Sequence, residues 1–488
     1  MANNSLPAIL NVKTIPSIEN MNIKTEVLDP ITITQQQAVF QIPKNGILDG
    51  GSMVQLGVLA DVKNFFPLNT GIHGLIKSCF LKVGGQVIAS NDEYAYYTTM
   101  TRQFDTPEHR AYVDMVKTGA CGDRWGVGES GRIGYRDLEA TIDATPTNSA
   151  LKVPEFIRPT TDPATTPLFS VPLSTLLPMM KSRQLPLMAI KEHVYLEINF
   201  NNQVAGVPGV VCCVEAGSEA LCATSVSTTN IKFMSDHLYY TNEKMDAMVQ
   251  STLSGKGLSV LYEDLITTRA DVPAVGAIAA GAVMPQPVER QLAVSGKVVR
   301  NILIHEKNQT ENHVLFGNYL SRDLLIPSEF NLRINDQRIY DRNLVAQPRK
   351  YNELSNVLGR PLSVPNQLYS YDADSDKQDI PRKRINQNSV YVGKIEEHQL
   401  PDAASAIMTN DIRGSSHFIG YDATTTGYNV LGNGAKIGVK PVIINKTYFR
   451  QPDLGTTMVG QNNARELRVF TGVERIMIIK NGEVVVSA

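Results

Sequence analysis

Gly126-Val127-Gly128-Glu129-Ser130-Gly131 spells G-x-G-x-x-G, the pattern whose glycines let a backbone turn tightly against a dinucleotide pyrophosphate. That chemistry requires a strand before the loop and a helix after it. Cys121 to Trp125 has no strand pattern and Arg132-Ile133-Gly134-Tyr135 opens no helix, so the run reads as a surface loop. The same segment misses a nucleophile elbow, because Arg132 stands where the second glycine belongs. Asp372, Asp374, Asp376 and Asp379 have the spacing of a calcium loop, but Lys377 takes the glycine position and Lys383 that of the bidentate glutamate. This is no EF-hand; Asp372, Asp374 and Asp376 remain a weak cation candidate beside the reading as a solvated acidic loop. Cys212, Cys213 and Cys222 lack C-x-x-C spacing and a nearby histidine. His109 beside Glu108 and His398 beside Glu396-Glu397 lack the H-E-x-x-H pattern. The residues therefore name no catalytic group, no cofactor site and no metal centre, and the expectation is a protein that is not an enzyme.

The elements that would carry any site are strands. Phe80 to Ile88 reads FLKVGGQVI and Asn331 to Ile339 reads NLRINDQRI, each with two apolar strands around a two-residue turn. Leu81, Val83, Gln86 and Ile88 fall on Leu332, Ile334, Gln337 and Ile339 at a constant offset of 251. Gly84-Gly85 and Asn335-Asp336 both accept the positive φ that a two-residue hairpin demands. One β-rich unit repeated in 488 residues predicts tandem domains of about 240 residues each. Val194 to Phe200 alternates apolar and polar residues and predicts a half-buried strand. Arg475 to Lys480, Asn481-Gly482 and Glu483 to Ser487 predict a closing hairpin. Gln291 to His305 reads as strand broken at Ser295-Gly296. Helical signals are local: Ser90 to Glu93 has the form of a capping box, and Thr241 is placed to cap a short helix with Met245, Met248 and Val249 on one face. Ala144 to Pro172 and Tyr369 to Asp411 read as long surface loops.

Composition narrows the classes. With 46 basic and 48 acidic residues the net charge is −2, which is not the footprint of a nucleic-acid binder, and Arg382-Lys383-Arg384 reads as a solvated loop. A hydrophobic content of 42% in a chain this long builds two sizeable cores. The N-terminus has no basic region followed by an apolar run, so no signal peptide is expected. No window of about 18 uninterrupted apolar residues exists, and the run Val272 to Pro285 is interrupted by Pro273. Five cysteines, an odd number, fit reduced thiols.

Several short segments, read together, carry a family likeness. Pro172-Leu173-Ser174, then Leu185-Pro186-Leu187-Met188-Ala189-Ile190, then Glu192-His193-Val194 to Ile198 resemble the PL…LPL-x-A-L-x-x-H-x-V pattern of the double jelly-roll major capsid proteins of nucleocytoplasmic large DNA viruses. Asp236-His237-Leu238-Tyr239-Tyr240 to Lys244 resembles the last strand of their first jelly roll and the helix that follows. Gly84-Gly85-Gln86-Val87-Ile88 is similar to their GGQ-x-I hairpin. Asn335 to Arg342, Gln347-Pro348 and Tyr351-Asn352 are similar to their N-x-x-x-R…QP…Y pattern. Val469 to Val486 resembles their closing strands. The entry segment, Pro30 to Ala60, looks more like the shorter capsid proteins of virophages and polinton-like viruses.

The resemblance implies an all-β fold of two tandem eight-stranded jelly rolls with short helices and long surface loops. Its boundaries would be an N-terminal arm over 1–29, a first jelly roll over 30–243 and a second over 244–488. It implies a major capsid protein whose homotrimeric, pseudo-hexameric capsomers tile the icosahedral shell of a double-stranded DNA virus. It places the chain in the virion, assembled in the host cytoplasm or nucleus. Partners would be neighbouring capsomers with penton and minor capsid proteins, with no direct nucleic-acid contact and a membrane permitted beneath the shell. The alternative from another class is a two-domain jelly-roll glycan-binding or glycan-processing protein, for which the single Trp125 gives a thin sugar-stacking surface.

Overall fold

The computed structural model describes residues 22–59, 71–102, 115–118, 168–182, 184–201, 210–211, 223–254, 257–273, 284–308, 328–344, 347–358, 418–424, 434–450 and 464–487. In the first half the strands are β1 (Asn22–Leu28), β2 (Thr32–Ile33), β3 (Gln37–Ile42), β4 (Ile47–Leu48), β5 (Met53–Leu59), β6 (Ile76–Val83), β7 (Gln86–Asn91), β8 (Leu168–Pro172), β9 (Val194–Phe200), β10 (Val210–Val211), β11 (Ala223–Val226) and β12 (Lys232–Tyr239). The second half contributes β13 (Leu258–Val272), β14 (Met284–Leu292), β15 (Val298–Asn308), β16 (Ser328–Ile334), β17 (Gln337–Arg338), β18 (Phe418–Asp422), β19 (Ala435–Lys436), β20 (Val442–Arg450), β21 (Arg465–Lys480) and β22 (Glu483–Ser487).

Strand pairing states the repeat in three dimensions. One sheet of the first half runs β1-β12-β5-β8 and the other β3-β9-β6-β7; in the second half the orders are β13-β21-β15-β18 and β14-β20-β16-β17. Strand for strand these are the same path. In each half the first strand of these eight pairs antiparallel with the eighth, β1 with β12 and β13 with β21, and the eight strands roll into two facing sheets, with β22 added on β21 in the second half. That is a jelly roll, and it occurs twice.

The sequence signals that depend on local chemistry are realised. In β9, Val194, Leu196, Ile198 and Phe200 are buried and the residues between them half-buried. The two equivalent hairpins close on Val83 opposite Gln86 and on Ile334 opposite Gln337. Their turn residues all have positive φ: Gly84 55° and Gly85 90°, Asn335 53° and Asp336 66°. The terminal hairpin β21–β22 turns at Asn481 and Gly482 with φ of 53° and 83°.

Other expectations are corrected. Gln291 to His305 is not one interrupted strand: β14 ends at Leu292, Gly296 takes φ +77°, and β15 begins at Val298 in the opposite sheet. The break is a corner between layers. Ser90 lies inside β7, so no capping box forms, and the helix Tyr94–Arg102 starts directly after Glu93. Thr241 precedes the helix Asn242–Leu253 with its side chain unengaged in capping, although its carbonyl accepts the first amide bonds; Met245, Met248 and Val249 are half-buried on one face. Leu168–Pro172, inside the expected loop Ala144 to Pro172, is strand β8. Asn22–Leu28, inside the span assigned to an arm, is strand β1 on the edge of a sheet. The helix Gln347–Leu358 was unforeseen. The G-x-G-x-x-G run, the loop Tyr369 to Asp411 with Asp372, Asp374 and Asp376, and four of the five cysteines lie outside the described residues; Cys79 is buried as a free thiol.

Two cores result, but not one per half. One lies between the sheets of the second half, around Val288, Ile302, Leu332, Ile444 and Val469. The other fills the first half and takes in Tyr262, Met477, Ile479 and Val484 from the second. Strands β13 and β21, of 15 and 16 residues, are long enough to line their own core at one end and to reach the first roll at the other.

Candidate functional site

Among the described residues no group of three or more His, Cys, Asp or Glu side chains could hold a metal ion, and no helix is long and apolar enough to cross a membrane. The most elaborate constellation of polar side chains lies where the rolls meet. It begins at Glu93, placed by the hairpin β6–β7 at the start of the helix Tyr94–Arg102. The Glu93 carboxylate is bound by the guanidinium of Arg468 from β21 and by that of Arg269 from β13. Arg468 is fixed further by Nε donating to Glu466 at 2.7 Å and by stacking 3.5 Å from the ring centre of Tyr96. One residue along the same helix, Tyr97 meets Phe470 with ring centres 5.5 Å apart. Phe470 and Arg468 stand on the face of β21 opposite Val469 and Leu467, which belong to the second core. The helix of the first roll therefore roofs the outer face of the second roll's sheet.

A second set of contacts crosses the junction nearby. The Tyr262 hydroxyl donates to the carbonyl of Ile88 at 2.7 Å, and the amide of Ser90 donates to Asp264 at 3.2 Å. Arg475 lies 3.1 Å from the Asp264 carboxylate, which is only 1% exposed. Burial raises the Asp264 carboxyl above the ordinary carboxylate range even though Arg475 pulls the other way. Burial likewise holds the Tyr262 phenol well above its usual value. Within the second roll, Arg300 is buried with Glu263 at 2.5 Å, and Asn301 donates to the same carboxylate at 3.1 Å. The bonds of Tyr262 to Ile88 and of Ser90 to Asp264 cross between the rolls, while the pairs of Arg475 and Arg300 hold Asp264 and Glu263 from within the second roll.

The residues singled out by motif fall into two groups around this junction. Leu185 bridges to Leu48 through both backbone bonds, at 2.8 and 3.1 Å, and the buried Pro186 precedes a single 3-10 turn, Leu187–Ala189. Lys191 then donates its amide to the carbonyl of Gly482 at 2.8 Å, and the His193 carbonyl accepts from the amide of Gly84 at 3.0 Å. The segment from 185 to 193 thus ties the first hairpin to the terminal hairpin, whose Asn481 amide also bonds Thr252 of the connecting helix at 2.9 Å. His193 itself is exposed, its Nδ1 2.8 Å from Gln41. Asp236 accepts from Thr25 at 2.6 Å, its carbonyl accepts from Asp49 at 2.9 Å, and Tyr239 ends β12 opposite Asn22. Pro172 ends β8 opposite Met53, and Gln86 is exposed at the start of β7.

In the second roll, Asn335 accepts from the amide of Gly438 at 2.9 Å, Arg342 is exposed in a turn, and Gln347 and Pro348 begin a helix. Pro348 suits a first turn, where an amide has no intrahelical acceptor. These residues do not converge on one point. The charges of the junction were missed by sequence reasoning, because Glu93 and Arg468 have no motif to mark them.

Comparison with known proteins shows what the chain is similar to. Residues 31–240 match the family model described as major capsid protein N-terminus. The crystal structure of the PBCV-1 protein VP54, fitted into a reconstruction of the virophage Sputnik, superposes with a TM-score of 0.52 at 12% identity, covering 96% of this chain and 97% of that one. A quasi-atomic model of the PBCV-1 capsid gives 0.53 at 12% identity, covering 96% and 97%. The 3.5 Å structure of the Sputnik virophage gives 0.51 at 11% identity, covering 96% and 88%. These neighbours are double jelly-roll capsid proteins. No curated protein matches the chain at the level of sequence.

Proposed function

We propose that this chain, whose residues 31–240 match the family model of the major capsid protein N-terminus and whose described residues form two jelly rolls, is a major capsid protein that builds its virion's shell as a homotrimeric, pseudo-hexameric capsomer. The observation that carries the proposal is the identity of strand order in the two rolls, combined with the buried junction that holds them as one block. Two similar wedges per chain, repeated by a threefold axis, present six similar flanks, and six flanks tile a surface that strict threefold symmetry alone would not. The role is structural, not catalytic.

In this reading the division of the chain is an arm, a first roll to about residue 243 and a second roll from 244, with strand β1 belonging to the first roll. The shell is that of a double-stranded DNA virus and is icosahedral, with penton and minor capsid proteins at its special positions. A net charge of −2 supports a shell that leaves the genome to other components, a membrane among them.

Light scattering on a size-exclusion column, followed by negative-stain imaging of the peak, tests the proposal. The expected result is three times the 53.6 kDa chain mass, with hexagonal outlines. A compact, stable monomer at micromolar concentration overturns it.

A further inference from the structure

We infer that one end of the second roll's long sheet is a latch for the first roll: the start of β13, the end of β21 and β22 form a three-stranded tongue that docks into the first roll's core and leaves it as a unit, with the seam at Asp264 and Arg475 as its hinge. The device lies within one chain and stands apart from the trimer reading above.

Three changes coincide at one height on these strands. Up to that height the inward side chains of β21 include Leu467, Val469 and Val473 of the second core, and beyond it they are Met477 and Ile479 of the first. On β13 the inward Ile266 packs against the second core, whereas Tyr262, Val260 and Leu258 pack in the first. Between the two sets stand Asp264 and Arg475, 3.1 Å apart, so a polar seam divides the cores. The neighbour of β21 changes there as well: β15 pairs with it from Arg465 to Glu474, and β22 from Ile476 to Lys480. Only β13 and β21 run through the seam, paired without a break from Leu258 opposite Ile479 to Val272 opposite Arg465.

A tongue so placed adds nothing to the core of its own roll. Its buried side chains, Tyr262, Met477, Ile479 and Val484, lie among first-roll residues. The first roll is therefore complete only while the tongue is in place, whereas the second is complete without it. The docked tongue is pinned at few points: the Gly482 carbonyl accepts from the amide of Lys191, the Asn481 amide donates to the carbonyl of Thr252, and the Tyr262 hydroxyl donates to the carbonyl of Ile88. These bonds leave from turn residues and a side chain, so all three can break while the ladders of β13, β21 and β22 stay intact. The fit at the turn is close, for a Cβ on Gly482 would lie 2.4 Å from the Lys191 side chain. Elsewhere the docked face is held by burial alone, which has no directional bonds to strip one by one, so the face separates together. Such units open below the threshold of global unfolding. The bend falls at the seam because the groups there are polar and accept water when it enters.

Native-state hydrogen exchange on the full chain, resolved by segment with mass spectrometry, tests the latch in wild type, Val484→Ala and Val485→Ala. The two valines are neighbours on β22, but Val484 points into the first core at 7% exposure and Val485 points away at 57%. In Val484→Ala, exchange should rise about tenfold or more in β22, in residues 185–193 and in β6 and β9 of the first roll, with β14, β16 and β20 of the second roll unchanged. Val485→Ala should match wild type. The contrast between rolls within each chain reads the same in a trimer or a monomer, so failure of the trimer reading leaves this outcome intact. Protection lost equally in both rolls overturns the inference, since the chain then opens as one body. Protection lost only in the second roll, or nowhere, overturns it too. So does a Val484→Ala chain that circular dichroism shows to be unfolded, because the second roll should stay closed without the tongue.

Discussion

Glu93 and Arg468, 375 positions apart in the chain, form a buried ion pair that joins the first roll to the second. Such a pair gains little over an apolar contact of the same shape, because both ions lose their water; removing one partner is what costs, since the other stays buried and charged. Glu93→Gln should therefore lower stability by about 3 kcal/mol, the lower end of that penalty because Glu466 and Tyr96 still hold Arg468. Arg269, whose side chain is 58% exposed, binds the same carboxylate, yet Arg269→Ala should cost no more than about 1 kcal/mol. Denaturant unfolding at one fixed protein concentration measures both.

Tyr262 offers a neutral probe of the same junction. Tyr262→Phe keeps the ring in the shared core and deletes the hydroxyl that donates to the Ile88 carbonyl and also meets Arg475. The loss should be about 1–3 kcal/mol, since a buried acceptor loses its partner. A change within error would mean that Ile88 finds another donor.

The two glycines of the first hairpin should respond alike. Both have positive φ, where a Cβ is strained; a Cβ on Gly85 meets nothing within 4 Å, and one on Gly84 meets only the carboxyl end of the Glu192 side chain, which can swing aside. We expect about 1–2 kcal/mol for Gly84→Ala and for Gly85→Ala, read as a shift of midpoint with unchanged denaturant slope.

Asp264 makes stability depend on pH. Its folded pKa lies above the unfolded value of 3.8, so the folded state holds the proton more tightly. The sign follows: the Asp264 contribution is present in full at pH below 3.8 and is lost as pH rises through the raised folded value. In Asp264→Asn that contribution disappears. The stability difference between wild type and variant should thus move in the variant's favour as pH is raised from about 4 toward neutrality, and a difference independent of pH would contradict the assignment.

What was legible in the sequence follows physical range. The hairpins at Gly84, Asn335 and Asn481 could be read because a two-residue turn admits few residue types, and β9 because one buried face imposes a period of two. The corner at Ser295-Gly296 could not be separated from a kink in one strand, since both use the same local residues. The helix Gln347–Leu358 hid behind a motif, although Pro348 in its first turn and the spacing of Tyr351, Leu354 and Leu358 fit a helix.

The amino-acid sequence alone determined that the chain is β-rich, that one unit occurs twice, and which turns close its hairpins, because those properties are written in neighbours a few residues apart. Only the tertiary structure decided that β13 and β21 overrun their own core, that Tyr262 and Met477 belong to the other roll's interior, and that Glu93 faces Arg468. Those pairings depend on how the strands roll. Burial rewards any compatible surface and leaves no local signature of which distant surface it will be.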